Sequence, residues 1–90
     1  MKESETDAEF IIVGRRLLSV REPTKLNQTD FALRNGFNTT QYNNWETGKR
    51  RIPIDKALVL CDRYGITLDF IYRGREDGLS ESARKVISSQ

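Results

Sequence analysis

Two short helix-forming segments joined by the tetrapeptide NGFN constrain this chain more than any other feature of its sequence. Gly36 can adopt the left-handed backbone conformation that ends a helix, and Phe37 then supplies an apolar anchor. Asn38 can cap the next helix, and Gln41 follows it at the spacing of a capping box. Two short helices joined by a tight, glycine-containing turn predict a helix-turn-helix.

The whole chain has the apolar spacing of α-helices, and it contains no alternating run of strand length. Val13, Leu17 and Val20 lie on one stripe of a first helix, which Pro23 prevents from continuing. Side chains suited to N-capping precede several segments, at Asn27, Asn38, Thr67 and Ser80. The predicted helices cover residues 8–21, 28–35, 39–47, 54–64 and 68–73, with one more after Ser80. The predicted fold class is therefore all-α.

Composition argues against catalysis and against metal binding. The chain has no histidine and one cysteine, so we expect no metal site, no cofactor and no internal disulfide. Cys61 lies on the apolar stripe of the fourth predicted helix and is expected to be a small core residue. The chain has no Gly-rich phosphate loop, no nucleophile elbow and no convincing carboxylate pair. We therefore expect that it is not an enzyme.

Charge is distributed unevenly, although the formal net charge is only +2. Residues 1–9 form an acidic segment with a net charge of −3. Residues 14–51 have a net charge of +5, from eight basic and three acidic side chains, and residues 52–90 balance. A basic middle of the chain suggests a polyanionic partner.

The stretch NTTQYNNWE, residues 38–46, carries one charge in a chain of which 31% is charged. Tyr42 and Trp45 can face the core, three residues apart. The outward side chains form what we call the polar face, namely Thr39, Thr40, Gln41, Asn43 and Asn44. Amide side chains can donate to and accept from adenine at once, and threonine offers a methyl group to thymine. The polar face therefore predicts base contacts, with capping and solvation of a short helix as the alternative.

Three consecutive cations follow this helix in TGKRRIP. Cations are favoured near a helix C-terminus in any case, so a solvated loop is one interpretation. Next to a helix that reads bases, Lys49 and Arg50 are instead expected to hold phosphates.

Four segments in order resemble the Cro/C1-type (XRE) helix-turn-helix transcriptional regulators of bacteria and phages: VGRRLLSVRE, LNQTDFA, NGFNTTQYNNWETGKRRIP and LVLCDRYGITLDFIYRG. The resemblance covers about residues 10–74 and implies a five-helix, lambda-repressor-like DNA-binding domain, here with an extra C-terminal helix. The acidic segment and residues 75–90, a C-terminal tail or helix that could take part in dimerisation, lie outside it. Ile54 stands where the family usually caps the fourth helix with Ser or Thr.

The resemblance also implies roles for single residues. Base contacts fall on Thr39, Thr40 and Asn44, while Asn43 reaches either backbone or base and the role of Gln41 stays open. Phosphate contacts fall on Asn27, Gln28, Thr47, Lys49 and Arg50, and Gln28 also braces the reading helix. Arg21 and Glu46 match an ion pair between the first and third helices.

A module this small contacts too little DNA for tight selective binding, so we expect a homodimer on a near-palindromic operator. The half-sites would lie one helical turn apart, roughly 34–36 Å. The interface is expected at Ile66, Leu68, Phe70, Ile71 and Tyr72, with help from the last helix, for which a simple cap on the core is the alternative role. The expected function is sequence-specific binding of double-stranded DNA to repress transcription. The expected location is the cytoplasm, in association with the nucleoid, because neither a membrane span nor a secretory signal is evident.

Two other functions stay open on the sequence alone. An antitoxin of a toxin–antitoxin pair would use the same DNA chemistry and bind a toxin through a terminal segment. A protein-interaction module would keep the fold and lose the DNA function, which the modest net charge favours and the phosphate-facing residues oppose. RNA binding is disfavoured, since no exposed aromatic platform is evident. The salt dependence of DNA affinity separates the DNA-binding functions from the interaction module.

Overall fold

The computed structural model describes the backbone of residues 2–88 and the side chains of residues 8–87, so most of the predicted acidic segment lies outside the described side chains. Within the described backbone the chain forms six α-helices and no strand, which confirms the all-α class and the extra C-terminal helix. The helices are α1 (Lys2–Arg21), α2 (Gln28–Arg34), α3 (Thr39–Thr47), α4 (Ile54–Tyr64), α5 (Leu68–Arg73) and α6 (Glu81–Ser88). A 3₁₀ turn, Glu22–Thr24, follows α1 and contains Pro23.

Two predicted helix ends are wrong, the start of α1 and the end of α2, and the expected cap of α4 at Ile54 is wrong as well. α1 begins at Lys2, six residues before the predicted start, because the apolar stripe marks only the part of a helix that packs on a core. The N-cap of α4 is Pro53, in an extended conformation, and Ile54 is the first helical residue. Proline suits this position since it has no N–H group to place in the helix interior. α2 also ends one residue early, with Asn35 as its C-cap.

The four predicted N-caps are present. Asn27 and Asn38 accept hydrogen bonds from the backbone N–H groups three residues later, at 2.8 and 2.9 Å. Thr67 and Ser80 do the same for α5 and α6, each at 3.1 Å. These caps satisfy N–H groups that have no partner inside a helix, which fixes where each helix begins.

An aromatic cluster joins the helix-turn-helix, α2 and α3, to the rest of the core. Tyr42 is fully buried, with its ring centroid 5.3 Å from that of Phe31 in α2 and 6.1 Å from that of Trp45. Phe37 in the turn packs edge-on against Trp45, with the centroids 5.4 Å apart. The predicted inward pair, Tyr42 and Trp45, thus anchors α3 while its other face stays outside.

α6 packs on the core through Ala83, together with Leu79 just before the helix. Leu79 and Ala83 are 7% and 8% exposed and belong to the same apolar cluster as the helix-turn-helix. The backbone N–H of Ser80 donates to the carbonyl of Gly65 at 2.9 Å, which ties the start of α6 to the end of α4. Cys61 is half-buried and packs against the core, close to its predicted role.

Candidate nucleic-acid interface

The polar face of α3 is accessible. Thr40 and Gln41 are exposed, and Thr39 and Asn44 are half-buried. In the described part of the chain, the side chains of these four residues make no hydrogen bond to another protein group. Their hydroxyl and amide groups are therefore available to an external partner without breaking a contact.

Asn43 differs from the rest of the polar face. Its side-chain nitrogen donates to the side-chain oxygen of Gln28 in α2, at 2.7 Å. The nitrogen of Gln28 in turn donates to Oε1 of Glu46, at 2.8 Å. Asn43 is thus part of the contact between the two helices of the helix-turn-helix, and only the rest of its amide can serve a ligand.

The Glu46 carboxylate accepts four hydrogen bonds from side chains on three helices. Arg21 of α1 binds both carboxylate oxygens at 2.9 Å, in the ion pair that the resemblance implies. Gln28 adds a third donor, and the hydroxyl of Tyr42 adds a fourth at 2.6 Å. The Glu46 side chain is 5% exposed, so these donors replace nearly all of its water.

The protonation states follow from this arrangement. Burial alone raises the pKa of Glu46, but the hydrogen bonds from Arg21, Gln28 and Tyr42 outweigh burial and lower its pKa. The hydrogen bond to Glu46 raises the pKa of Arg21. Burial, followed by the hydrogen bond to Glu46, raises the pKa of Tyr42. At neutral pH the carboxylate is therefore ionised and the tyrosine hydroxyl keeps its proton.

The exposed cations lie in a loop after α3, residues 48–52, which we call the cation loop. The carbonyl oxygen of Asn44 accepts hydrogen bonds from the N–H groups of Gly48, Lys49 and Arg50, the last two at 2.9 and 3.1 Å. The loop therefore folds back on the last turn of α3. The side chains of Lys49 and Arg50 are exposed and have no acidic partner in the described part of the chain.

The other predicted phosphate contacts are less free. The side-chain oxygen of Asn27 caps α2, which leaves its exposed NH₂ group to donate. Gln28 is half-buried, with its amide bonded to both Asn43 and Glu46. The hydroxyl of Thr47 donates to the carbonyl of Asn43 at 2.8 Å, so its proton is already used inside α3. The cation loop is therefore the strongest feature for holding phosphates.

The predicted dimer residues lie mostly inside the protomer. Ile66, Phe70 and Ile71 are 4%, 4% and 0% exposed and belong to its own core. Leu68 and Tyr72 are half-buried and are the two that a second copy could reach. An apolar stripe in the sequence cannot distinguish these two situations, and the dimer stays a prediction.

Gly14 is an important residue that the sequence patterns above did not single out. A Cβ atom at Gly14 would collide with the backbone of α3, at the carbonyl of Glu46 and 2.8 Å from the carbonyl oxygen of Trp45. Glycine therefore lets α1 approach the C-terminal half of α3 directly. A glycine inside an otherwise regular helical stripe is the signal that could have identified it.

The described residues give no support to two other kinds of site. They contain no group of three His, Cys, Asp or Glu side chains placed to hold a metal ion. None of their helices combines the length and the apolar character that crossing a bilayer requires.

A polar helix anchored by its aromatic face, joined to a second helix by a tight turn and followed by exposed cations, defines a helix-turn-helix DNA-binding fold. The chain matches the model of the helix-turn-helix domain family over residues 14–76. It belongs to this family, as a Cro/C1-type, XRE-like member of a class that binds DNA and is typically non-enzymatic. Comparison with curated proteins and with solved structures gave no match.

Proposed function

We propose that this protein binds double-stranded DNA sequence-specifically and regulates transcription, with α3 in the major groove. The observation that carries the proposal is that one face of α3 is held to the core and the other face is accessible. Tyr42, Trp45 and Glu46 hold the helix to the core. Thr40, Gln41 and Asn44 keep accessible side chains that have no hydrogen-bond partner among the described residues.

This division favours selective binding for a physical reason. A good bidentate contact to a base edge discriminates by roughly 1–3 kcal/mol, provided that the side chain meets the base in a defined geometry. Glu46 accepts hydrogen bonds from Arg21 of α1 and Gln28 of α2, and these bonds fix the orientation of α3 in the free protein. Less conformational freedom is then lost on binding, so more of the contact energy remains as affinity.

The phosphate contacts are proposed for Lys49 and Arg50, helped by Asn27 and Gln28. The cation loop is bonded to the carbonyl of Asn44, so the groups that would meet the backbone are attached to the helix that would meet the bases. Contacts of the first kind set affinity and register, and contacts of the second kind set sequence preference.

A homodimer on a near-palindrome is the assembly that we propose. Its half-sites would be separated by about one helical turn, roughly 34–36 Å. Leu68 and Tyr72 on α5 are the half-buried part of the predicted interface, and its other residues are buried in the protomer. Repression by occupying a promoter is the mechanical default, since steric exclusion of polymerase needs no further surface.

Selection from a random duplex DNA pool at two salt concentrations tests the proposal. We expect an enriched site with two-fold symmetry and an affinity that falls steeply with salt, because each phosphate contact releases a counterion. Retention that is salt-sensitive but sequence-blind would remove the claim that α3 reads bases. An absence of retention would favour a protein-interaction module on the same fold.

A further inference from the structure

We propose that Tyr72 is a positioning residue for DNA binding, which clamps the far end of the cation loop so that Lys49 and Arg50 meet the DNA backbone in a fixed geometry. The inference rests on the proposed function. Its starting observation is a hydrogen bond of 2.6 Å from the hydroxyl of Tyr72, on α5, to the carbonyl oxygen of Ile52.

The cation loop is held at both ends. At the beginning of the loop, backbone N–H groups donate to the carbonyl oxygen of Asn44. At its end the Ile52 side chain is 2% exposed, in the core, and the Ile52 carbonyl is bonded to Tyr72. Two residues separated by 28 positions in the chain, one on α3 and one on α5, thus fix a five-residue segment.

Arg51, although exposed, contacts the same tyrosine. Its guanidinium carbon lies 4.8 Å from the centroid of the Tyr72 ring, within the range of a cation–π contact. Of the three consecutive cations, Arg51 is therefore turned toward α5, while Lys49 and Arg50 remain without a protein partner in the described part of the chain. We therefore assign the phosphate contacts to Lys49 and Arg50.

The clamp would act by reducing the entropy that the cation loop loses when DNA binds. A free loop must lose backbone and side-chain entropy when its cations bind phosphates, and a loop fixed at both ends has lost part of it already. Removing the Tyr72 hydroxyl should therefore weaken binding by reducing what Lys49 and Arg50 contribute. A role of Tyr72 in the dimer interface would act differently, by lowering the concentration of dimer.

A double-mutant cycle separates these roles. The four proteins are wild type, Tyr72→Phe, Lys49→Ala and the double variant, each titrated with the selected duplex and with a random duplex. Tyr72→Phe keeps the ring and removes the hydroxyl, and we expect about three- to tenfold weaker binding to both duplexes, the effect of one lost hydrogen bond. We expect Lys49→Ala to weaken binding less in the Tyr72→Phe background, by about threefold or more, because both changes act on one loop.

Tyr64→Phe is the matched control. It removes a hydroxyl that is hydrogen-bonded to Asn35, at the end of α2 and outside the cation loop. The losses of DNA affinity from Tyr64→Phe and from Lys49→Ala should therefore add. Equal losses from Lys49→Ala in both Tyr72 backgrounds would overturn the clamp. A Tyr72→Phe effect that disappears when the dimer fraction, measured by sedimentation, is matched to wild type would also overturn it. Wild-type protein that shows no salt-dependent DNA binding would refute the proposed function itself, before any variant is compared.

Discussion

Asn43 donates a hydrogen bond to the side-chain oxygen of Gln28 across 2.7 Å, so one of the five polar-face side chains of α3 is already bonded to α2. Its neighbour Asn44 has no side-chain partner in the described part of the chain. Two adjacent asparagines on one helix therefore have different tasks: Asn43 holds the two helices together, and Asn44 is available to a base.

Replacing Asn43 by alanine should affect stability more than sequence preference. The change removes one hydrogen bond between half-buried side chains and leaves the Gln28 oxygen without its donor. We expect a loss of about 1 kcal/mol in the free energy of unfolding, measured with urea. Unchanged stability together with a changed DNA motif would show that Asn43 reads a base and that its bond to Gln28 is incidental.

Replacing Arg21 by alanine should destabilise the fold strongly. It would leave the buried Glu46 carboxylate without its two guanidinium donors, and breaking such a pair costs about 3 kcal/mol. Arg15→Ala, an exposed arginine on the same helix, is the control and should change stability by less than about 0.5 kcal/mol. Similar losses from the two variants would contradict a structural role for the pair.

The same pair predicts a dependence of stability on pH. The pKa of Glu46 is lowered from its ordinary value of 4.5, so its contribution is fully present above that value and is lost as the pH falls through the lowered pKa. Unfolding in urea between neutral pH and pH about 3 should show wild type losing its advantage over Glu46→Gln as acid is added. A constant difference between the two proteins across this range would mean that the folded protein does not stabilise the carboxylate.

Gly14→Ala should destabilise the protein, although alanine is the better helix former by about 1 kcal/mol. The added methyl group would collide with the backbone of α3 at Glu46 and Trp45, which cannot move like a side chain. Overpacking of this kind costs about 1–3 kcal/mol, and the displacement of α3 should also weaken DNA binding. Gly36→Ala is the comparison, because its Cβ would meet nothing within 4 Å and only the positive φ of 75° resists it. A higher melting temperature for Gly14→Ala than for wild type would contradict this prediction. It would show that α1 and α3 can move apart at little cost in free energy.

Local chemistry explains why so much of the fold was predictable. N-caps, glycine stops and apolar stripes depend on residues three or four apart, so Asn38, Gly48 and Thr67 mark helix ends before any tertiary contact is known. The bonds of Asn27 and Asn38 to N–H groups three residues later are of this kind. The family resemblance then placed Arg21 opposite Glu46, across 25 positions.

Contacts between distant segments were not predictable in the same way. The glycine at position 14 is visible inside a helical stripe, but the stripe does not show that its neighbour is the backbone of α3. The bond of Tyr72 to Ile52 likewise depends on how the helices pack. The stripe of α5 illustrates the same difficulty, because Phe70 and Ile71 are apolar whether they face a core or a partner. Their burial within the protomer shows that both side chains face its own core.

The most direct test of base reading by α3 is a comparison of the DNA motifs selected by wild type and by Asn44→Ala from the same random duplex pool. We expect the variant to relax the preference at one position in each half-site, with a loss of about 1–3 kcal/mol on the best sequence and little change on random DNA. An unchanged motif, or an equal loss of affinity on every sequence, would contradict the assignment of Asn44 as a base contact and of α3 as the helix that reads the operator.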